Sequence, residues 1–204
     1  MAIVLVRHGE TASNAQRVLQ HPETPLSDRG LAQARRLADR LARGRVAEIV
    51  ASDYARARVT ADQIRGACGA PLTIDPDLRE RNFGDLRGRS YAELGFDPFA
   101  PGYVPPEGES WEDLHRRVDG MWEAVRARVS GLTGDLVLVT HGLVCHSLVS
   151  RRLDLGEFSC APSGFANTSV TIVDAAPPWR VRLLGCTAHL DTATARDGRT
   201  LTGL

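Results

Sequence analysis

Two histidines, each followed directly by glycine, stand immediately after apolar runs of the sequence. Arg7-His8-Gly9 follows the run at residues 2–6, and His141-Gly142 follows the run at residues 136–140. Such runs are typical of strands buried on both faces, and ligands of open α/β sheets bind outside the carboxyl ends of these strands. If the two strands are neighbours, about 4.8 Å apart, both imidazoles can reach one small group. The pattern therefore indicates two imidazoles that converge on one ligand.

The charged residues restrict the chemistry further. All 25 basic residues are arginine, and the chain contains no lysine. Schiff-base chemistry, an ordinary P-loop NTPase and an ordinary protein kinase are therefore excluded. Arginine carries a permanent, forked cation that suits phosphate, although a GC-rich coding sequence would produce the same count. The 25 acidic residues bring the formal net charge to zero, which argues against nucleic acid as a partner.

Predicted strands and helices, which must position these groups, alternate along the chain. This alternation predicts an α/β fold. We expect a three-layer α/β/α sandwich with a mostly parallel sheet. Apolar runs predict strands at residues 2–6, 47–51, 72–74, 136–140, 170–173 and 181–184. Helical spacing predicts helices from Asp28 to just before Gly44, over 54–68, from Ser110 to about 129 and over about 143–153.

The length of 204 residues predicts a single domain over residues 1–204. Within it, a stretch rich in glycine and proline at about 81–110 is expected to form an excursion or lid, and the polar tail from about residue 187 is expected to be loosely held. No apolar run approaches the ~18 residues of a membrane span, and no secretion leader is evident. The expected setting is therefore cytoplasmic, with no membrane partner and with reduced cysteines.

Five segments, in order, resemble the sequence blocks of the histidine phosphatase superfamily, in its phosphoglycerate mutase-like branch 1. The resemblance covers about residues 3 to 174 and implies the phosphoglycerate mutase-like fold. The ordered set is far more specific than any one block. The segments are Leu5–Thr11 with Asn14, Ser52–Ala61, Leu78–Gly84, Pro106–Ser110 and Thr140–Gly142.

The resemblance implies a catalytic role for five residues. His8 would be the nucleophile that forms a phosphohistidine. Arg7 and Arg56 would clamp the transferring phosphoryl oxygens, and His141 would hydrogen-bond the same group. Glu80 would give a proton to the leaving oxygen and then take one from the attacking water.

The same resemblance implies that Asn14 donates to the phosphate. Gly142, directly after His141, offers a backbone N–H to a ligand, and His21 in the first loop is expected either to touch the substrate or to be a plain exposed histidine. His141 and His146 are five residues apart with no carboxylate at metal-site spacing, so no metal is expected, and no cofactor is required. The implied partner is a small phosphorylated metabolite, and a homodimer is possible.

Two activities remain open for such an enzyme. The segment between Glu80 and Glu109 is short and not notably basic, whereas mutases of the family generally carry a longer and more basic one. The interpretation is therefore a phosphomonoester hydrolase. The alternatives are a cofactor-dependent phosphoglycerate mutase and, from a different class, a non-catalytic protein that binds a phosphate ligand.

Overall fold

A six-stranded sheet forms the centre of the molecule in a computed structural model that describes residues 1–190. Its strands are β1 (Ala2–Arg7), β2 (Val46–Ala51), β3 (Leu72–Ile74), β4 (Asp135–Thr140), β5 (Val170–Asp174) and β6 (Val181–Cys186). Their spatial order is β3-β2-β4-β1-β5-β6. The first four in this order pair in parallel, and β5 and β6 add an antiparallel edge. The mostly parallel sheet is thus confirmed.

Helices cover both faces of the sheet. They are α1 (Ala12–Ala15), α2 (Asp28–Leu41), α3 (Ala55–Cys68), α4 (Tyr91–Leu94), α5 (Trp111–Val129) and α6 (Gly142–Arg151). The buried side chains of α2 and α3 join one hydrophobic cluster, and those of α5 and α6 join a second cluster. The two clusters are the two cores of a three-layer α/β/α sandwich, as predicted.

The central strands divide their side chains between these two cores. In β1, Ile3 and Leu5 belong to the core under α5 and α6, whereas Val4 and Val6 belong to the core under α2 and α3. Successive side chains of a strand point to opposite faces, so a strand covered on both sides must be apolar throughout. This requirement explains the continuous apolar runs. Polar side chains follow at the carboxyl ends of β1 and β4.

Every predicted strand and long helix is present, with ends within about two residues of the expected ones. The loop after β1 differs from expectation because it contains the short helix α1. Thr11 caps this helix by accepting from the Asn14 backbone N–H at 3.0 Å. A single turn lacks the repeated apolar spacing that identifies a longer helix in sequence.

The stretch at 81–110 packs firmly onto the domain. Phe83, Leu86, Leu94 and Phe99 are buried in the core under α5 and α6. Arg81 is 1% exposed, and its guanidinium donates to the carbonyl oxygens of Glu109, Pro98 and Tyr103. These bonds tie together distant parts of an irregular backbone. Whether the stretch acts as a lid stays a prediction, as does the assignment of the whole chain to one domain.

The start of α2 packs against the loop that carries His8. A Cβ atom on Gly30 would lie 2.0 Å from the carbonyl oxygen of Glu10, and one on Gly9 would lie 2.6 Å from the carbonyl oxygen of Gly30. Only glycine permits this approach of two backbones. The contact fixes the loop immediately after the first histidine.

Most of the tail predicted to be loose lies outside the described residues. In its described part, His189 contacts Arg40 through Nδ1 at 3.1 Å and Thr168 through Nε2 at 3.2 Å. Among residues 1–190, no helix combines the length and the apolar character needed to cross a membrane.

Candidate active site

The two predicted histidines meet at the carboxyl edge of the sheet. β1 pairs in parallel with β4, with Arg7 opposite Thr140, so the next residues, His8 and His141, leave the sheet side by side. Their ring centroids are 5.1 Å apart, with the rings tilted by 58°. Both rings are buried, His8 at 2% and His141 at 0% exposed. The expectation that these strands are neighbours is confirmed.

Hydrogen bonds define the state of the His8 ring. Nδ1 lies 2.7 Å from the carbonyl oxygen of Gly9, which can only accept, so Nδ1 carries the proton. Nε2 therefore holds a lone pair and accepts from Nε of Arg56 at 3.2 Å. Burial, followed by the positive charges of Arg56 and Arg7, holds the pKa of His8 well below its usual value. A neutral imidazole with one free lone pair is a competent nucleophile.

Two buried arginines stand beside this ring. Arg56, at 2% exposed, lies in the first turn of α3 and also donates from Nη1 to the carbonyl oxygen of His21 at 3.0 Å. Arg7 is 5% exposed and donates to the carbonyl oxygen of Phe165. Burial lowers the pKa of Arg56 to about 10, which leaves it protonated at neutral pH. The site thus holds two cations next to a neutral nucleophile.

His141 lies behind His8 and has one ring nitrogen in use. Nε2 is 2.9 Å from the hydroxyl oxygen of Ser52. Its Nδ1 is buried and has no hydrogen-bond partner among residues 1–190. Burial, followed by the charge of Arg56, holds the pKa of His141 well below its usual value. The ring is therefore neutral, with one atom left for a ligand.

Tyr54 joins these groups from the start of α3. Its ring lies 5.2 Å from the His141 ring in an edge-on arrangement, and Cζ of Arg56 lies 5.0 Å from its centroid. Its hydroxyl oxygen accepts from Arg87 at 3.2 Å. No role was predicted for Tyr54 from the sequence, although it stands two residues before Arg56.

Glu80 is partly buried beside the N-terminus of α6. Its two carboxylate oxygens accept from the backbone N–H groups of Arg81 at 3.1 Å and Leu143 at 3.3 Å. Burial raises the pKa of Glu80, while those two bonds and the charges of Arg56 and Arg7 oppose the rise. A carboxyl group whose pKa is raised by burial is suited to hold a proton and to release it.

The remaining predicted residues occupy different positions. Asn14 accepts through Oδ1 from the Thr11 backbone N–H at 3.2 Å and from Asn167 Nδ2 at 3.3 Å, which leaves its NH₂ group for the pocket. Gly142 is buried in the first turn of α6. His21 has an exposed side chain, and the contact it makes at the site is the one through its main-chain oxygen.

One pocket brings together most of the predicted site. Its polar floor consists of Arg7, His8, Asn14, Arg56 and Glu80, with Tyr54 at the side. His141, Gly142 and His21 do not line it. The same pocket has an apolar wall that was absent from the sequence-based site. It consists of Leu19, Phe83, Tyr91 and Phe99 and is called the apolar wall below.

Within residues 1–190, no three histidine, cysteine, aspartate or glutamate side chains converge as a metal site would require. The expectation that the enzyme needs neither metal nor cofactor stays a prediction. The polar floor itself combines a neutral imidazole, two guanidinium cations and a carboxyl group. These are the parts that phosphoryl transfer needs.

Comparisons with known proteins agree with this geometry. The family described as "Histidine phosphatase superfamily (branch 1)" matches residues 3–186. The probable phosphoglycerate mutase GpmB of Shigella boydii is 34% identical over 207 residues, which cover 94% of this chain and 95% of the relative.

Two solved structures have the same fold. The mycobacterial glucosyl-3-phosphoglycerate phosphatase in complex with VO3 is 28% identical with a TM-score of 0.75, over 89% of this chain and 97% of that one. Bacillus stearothermophilus YhfR is 29% identical with a TM-score of 0.78, over 92% of this chain and 98% of that one.

Proposed function

The chain belongs to branch 1 of the histidine phosphatase superfamily, and on that premise we propose that it hydrolyses a small phosphomonoester through a phosphohistidine on His8. The observation that carries the proposal is the state of the His8 ring. Its Nδ1–H is fixed by the Gly9 carbonyl, and its Nε2 lone pair faces the pocket beside Arg56. This arrangement supplies a neutral nucleophile where two guanidinium groups can hold a phosphoryl group.

In the first step, Nε2 of His8 attacks phosphorus and the ester P–O bond breaks. Arg7 and Arg56 neutralise the charge on the phosphoryl oxygens, and the oxygen atoms replace His8 as the acceptor of the Arg56 Nε–H. Protonated Glu80 gives its proton to the leaving oxygen, so a neutral alcohol departs. The negative charge of the substrate supports that protonation by offsetting the nearby arginines.

In the second step, water attacks the phosphohistidine and the P–N bond breaks. The Glu80 carboxylate takes the proton from that water, and inorganic phosphate leaves. Glu80 is then protonated and His8 neutral, as at the start. The bonds from Arg81 and Leu143 keep the carboxyl group in one place for both transfers.

His141 would bind the phosphoryl group through Nδ1. The Ser52 hydroxyl accepts from the Tyr54 backbone N–H at 3.3 Å and can therefore direct its own proton to Nε2 of His141. That bond leaves the ring proton on Nδ1, the atom with no partner, as a donor to a phosphoryl oxygen. Asn14 would donate to the same group through its NH₂, and Gly142 would add the N-terminal turn of α6.

The basic residues that follow Glu80 favour hydrolysis over mutase activity, because their guanidinium groups are engaged in other contacts. Arg81 is buried and spends its donors on backbone carbonyls, and Arg87 bonds the Tyr54 hydroxyl. Neither guanidinium is positioned as a second phosphate site for a bisphosphorylated primer. The name of the GpmB relative supports mutase activity as the second candidate.

The deciding experiment compares phosphate release with isomerisation on 3-phosphoglycerate, with and without 2,3-bisphosphoglycerate, and then phosphate release on a panel of phosphomonoesters. The proposal predicts that phosphate release exceeds 2-phosphoglycerate formation and needs no primer, and that vanadate inhibits it. Primer-dependent isomerisation faster than phosphate release would support the mutase. Tight binding of a phosphate ligand without any turnover would support the binding protein.

Three further predictions complete the proposal. They are a single domain that spans the chain, a cytoplasmic setting and a possible homodimer. Light scattering at several protein concentrations tests the last of these.

A further inference from the structure

The apolar wall lies where the leaving group of a substrate would be. Leu19, Phe83, Tyr91 and Phe99 line the same pocket as His8 and Glu80. The Phe83 and Phe99 rings pack edge to face at 5.5 Å, and Tyr91 and Phe99 do so at 5.4 Å. An alcohol that receives its proton from Glu80 and stays in this pocket therefore rests against aromatic and aliphatic surface.

The wall is fixed by backbone pairing between two loops. Val18 forms a β-bridge with Ser90, and the N–H of Leu19 donates to the carbonyl oxygen of Arg89 at 3.0 Å. The N–H of Tyr91 donates to the carbonyl oxygen of Arg17 at 3.0 Å. The loop after α1 and the stretch at 81–110 thus form one side of the pocket, whose shape is set before a substrate arrives.

Arg17 supplies a cation at the edge of this wall. Its backbone is held in the left-handed region, with φ of 56°, which is unusual for a residue other than glycine. Its exposed guanidinium lines the pocket and lies 5.5 Å from the Tyr91 ring centroid. Among residues 1–190, no carboxylate pairs with it, whereas Arg79 and Arg117 at the neighbouring surface pair with Asp53 and Glu109.

We infer that the enzyme selects phosphomonoesters whose alcohol has a flat apolar body and a carboxylate at its far end, with the body against the apolar wall and the carboxylate on Arg17. The inference rests on the proposed hydrolase function. A single guanidinium suits one planar carboxylate, which it can bind with two parallel hydrogen bonds. Stacking on Tyr91 limits the conformations of the Arg17 side chain and so lowers the entropy lost on binding.

The test compares kcat/KM for 4-carboxyphenyl phosphate, phenyl phosphate and glycerol 3-phosphate in the wild type, Arg17→Gln and Arg89→Gln. Arg89 is an exposed arginine nearby whose side chain does not line the pocket. The wild type should prefer 4-carboxyphenyl phosphate to phenyl phosphate by about five- to tenfold, the range of one partly exposed charged hydrogen bond. Arg17→Gln should lose this preference, and Arg89→Gln should keep the wild-type ratio of the two aryl substrates.

The ratio of the two aryl substrates is compared between enzymes, so any intrinsic difference between their leaving groups cancels. An equal ratio in the wild type and Arg17→Gln would overturn the carboxylate site. Faster turnover of glycerol 3-phosphate than of phenyl phosphate would overturn the apolar body. Phosphate release from none of the esters would instead defeat the hydrolase proposal itself, so the two failures are distinguishable.

Discussion

Nε of Arg56 donates a hydrogen bond to Nε2 of His8 at 3.2 Å, which places the guanidinium at the nitrogen that is to attack phosphorus. This bond engages the lone pair of that nitrogen and holds the imidazole against the guanidinium. When the substrate binds, the Arg56 Nε–H exchanges Nε2 of His8 for a phosphoryl oxygen as its acceptor, which requires little reorganisation. The nucleophile and its cation are thus positioned together before a substrate binds.

The first prediction concerns the shape of the Arg56 side chain. Arg56→Lys should lower kcat/KM by about 10²- to 10³-fold, because a point charge cannot serve the phosphoryl oxygens and the His21 carbonyl together. Steady-state phosphate release measures this. Arg65→Lys is the matched control on the same helix, since Arg65 is exposed and pairs with Asp62. Equal rates for the two variants would remove Arg56 from the clamp.

The second prediction concerns proton transfer by Glu80. Glu80→Gln should lower the rate on an alkyl phosphate by about 10²- to 10⁴-fold, the usual worth of a general acid. The loss in the first step should be much smaller with 4-nitrophenyl phosphate, whose leaving group is stable as an anion. Stopped-flow absorbance should therefore show a burst of 4-nitrophenol in this variant, because hydrolysis of the phosphohistidine still lacks its base.

The pH profile provides the companion measurement. Burial raises the pKa of Glu80, so activity on the alkyl ester should fall as pH rises through that raised value. With 4-nitrophenyl phosphate, the rate of the first step should not show this fall at alkaline pH. Equal losses on the two substrates, or an unchanged alkaline limb in Glu80→Gln, would assign the general acid elsewhere.

The third prediction is a loss of stability at mildly acidic pH. The pKa values of His8 and His141 in the folded state are lowered, mainly by burial. Below about pH 6.5 these two side chains therefore bind more protons in the unfolded chain than in the folded chain. Stability present above that pH is therefore lost as pH falls toward the folded-state values. Each histidine contributes up to about 2 kcal/mol of this loss between pH 6.5 and 5.

Urea unfolding at pH 7.5 and pH 5, without phosphate, measures the loss. His141→Gln removes one titrating ring and should narrow the difference between the two pH values by up to about 2 kcal/mol. Glu80 contributes to the pH dependence of stability with the opposite sign, because its raised pKa lets the folded state bind an extra proton as pH falls. This contribution is the same in the wild type and in His141→Gln. An unchanged difference would mean that His141 is protonated in the folded state.

The fourth prediction tests the contact that holds the His8 loop. A Cβ on Gly30 would lie 2.0 Å from the Glu10 carbonyl oxygen, so Gly30→Ala should lower the free energy of unfolding by about 1–3 kcal/mol and reduce activity. A Cβ on Gly66 in α3 would meet nothing within 4 Å, so Gly66→Ala should raise stability by about 0.5–1 kcal/mol without affecting turnover. Similar effects of the two substitutions would contradict the close approach.

The sequence was sufficient to predict the parts of the site that follow regular structure. Because β1 and β4 are continuous apolar runs, their ends could be located, and the neighbouring His8 and His141 followed from parallel pairing. Arg56 and Glu80 came from the family resemblance; Arg56 contacts His8, and Glu80 lines the same pocket. Periodicity and ordered motifs carry this information since they reflect burial and backbone geometry that repeat along the chain.

The apolar wall could not be predicted in this way. Leu19 lies beyond a helix of a single turn, and Phe83, Tyr91 and Phe99 are spread through a stretch with no period, so only tertiary packing brings them together. His21 shows the converse case. Its imidazole suggested a contact with substrate, whereas the atom that reaches the site is its main-chain oxygen, which any residue would supply.

The account depends most directly on covalent chemistry at His8. The measurement is rapid quenching of the enzyme during turnover into alkali, followed by mass spectrometry of its peptides. We predict a phosphoryl group on His8 that is stable in alkali and lost in acid, that forms and decays at the rate of turnover, and that is absent together with activity in His8→Ala. Wild-type turnover by His8→Ala, or a phosphoryl group on another residue, would contradict the mechanism.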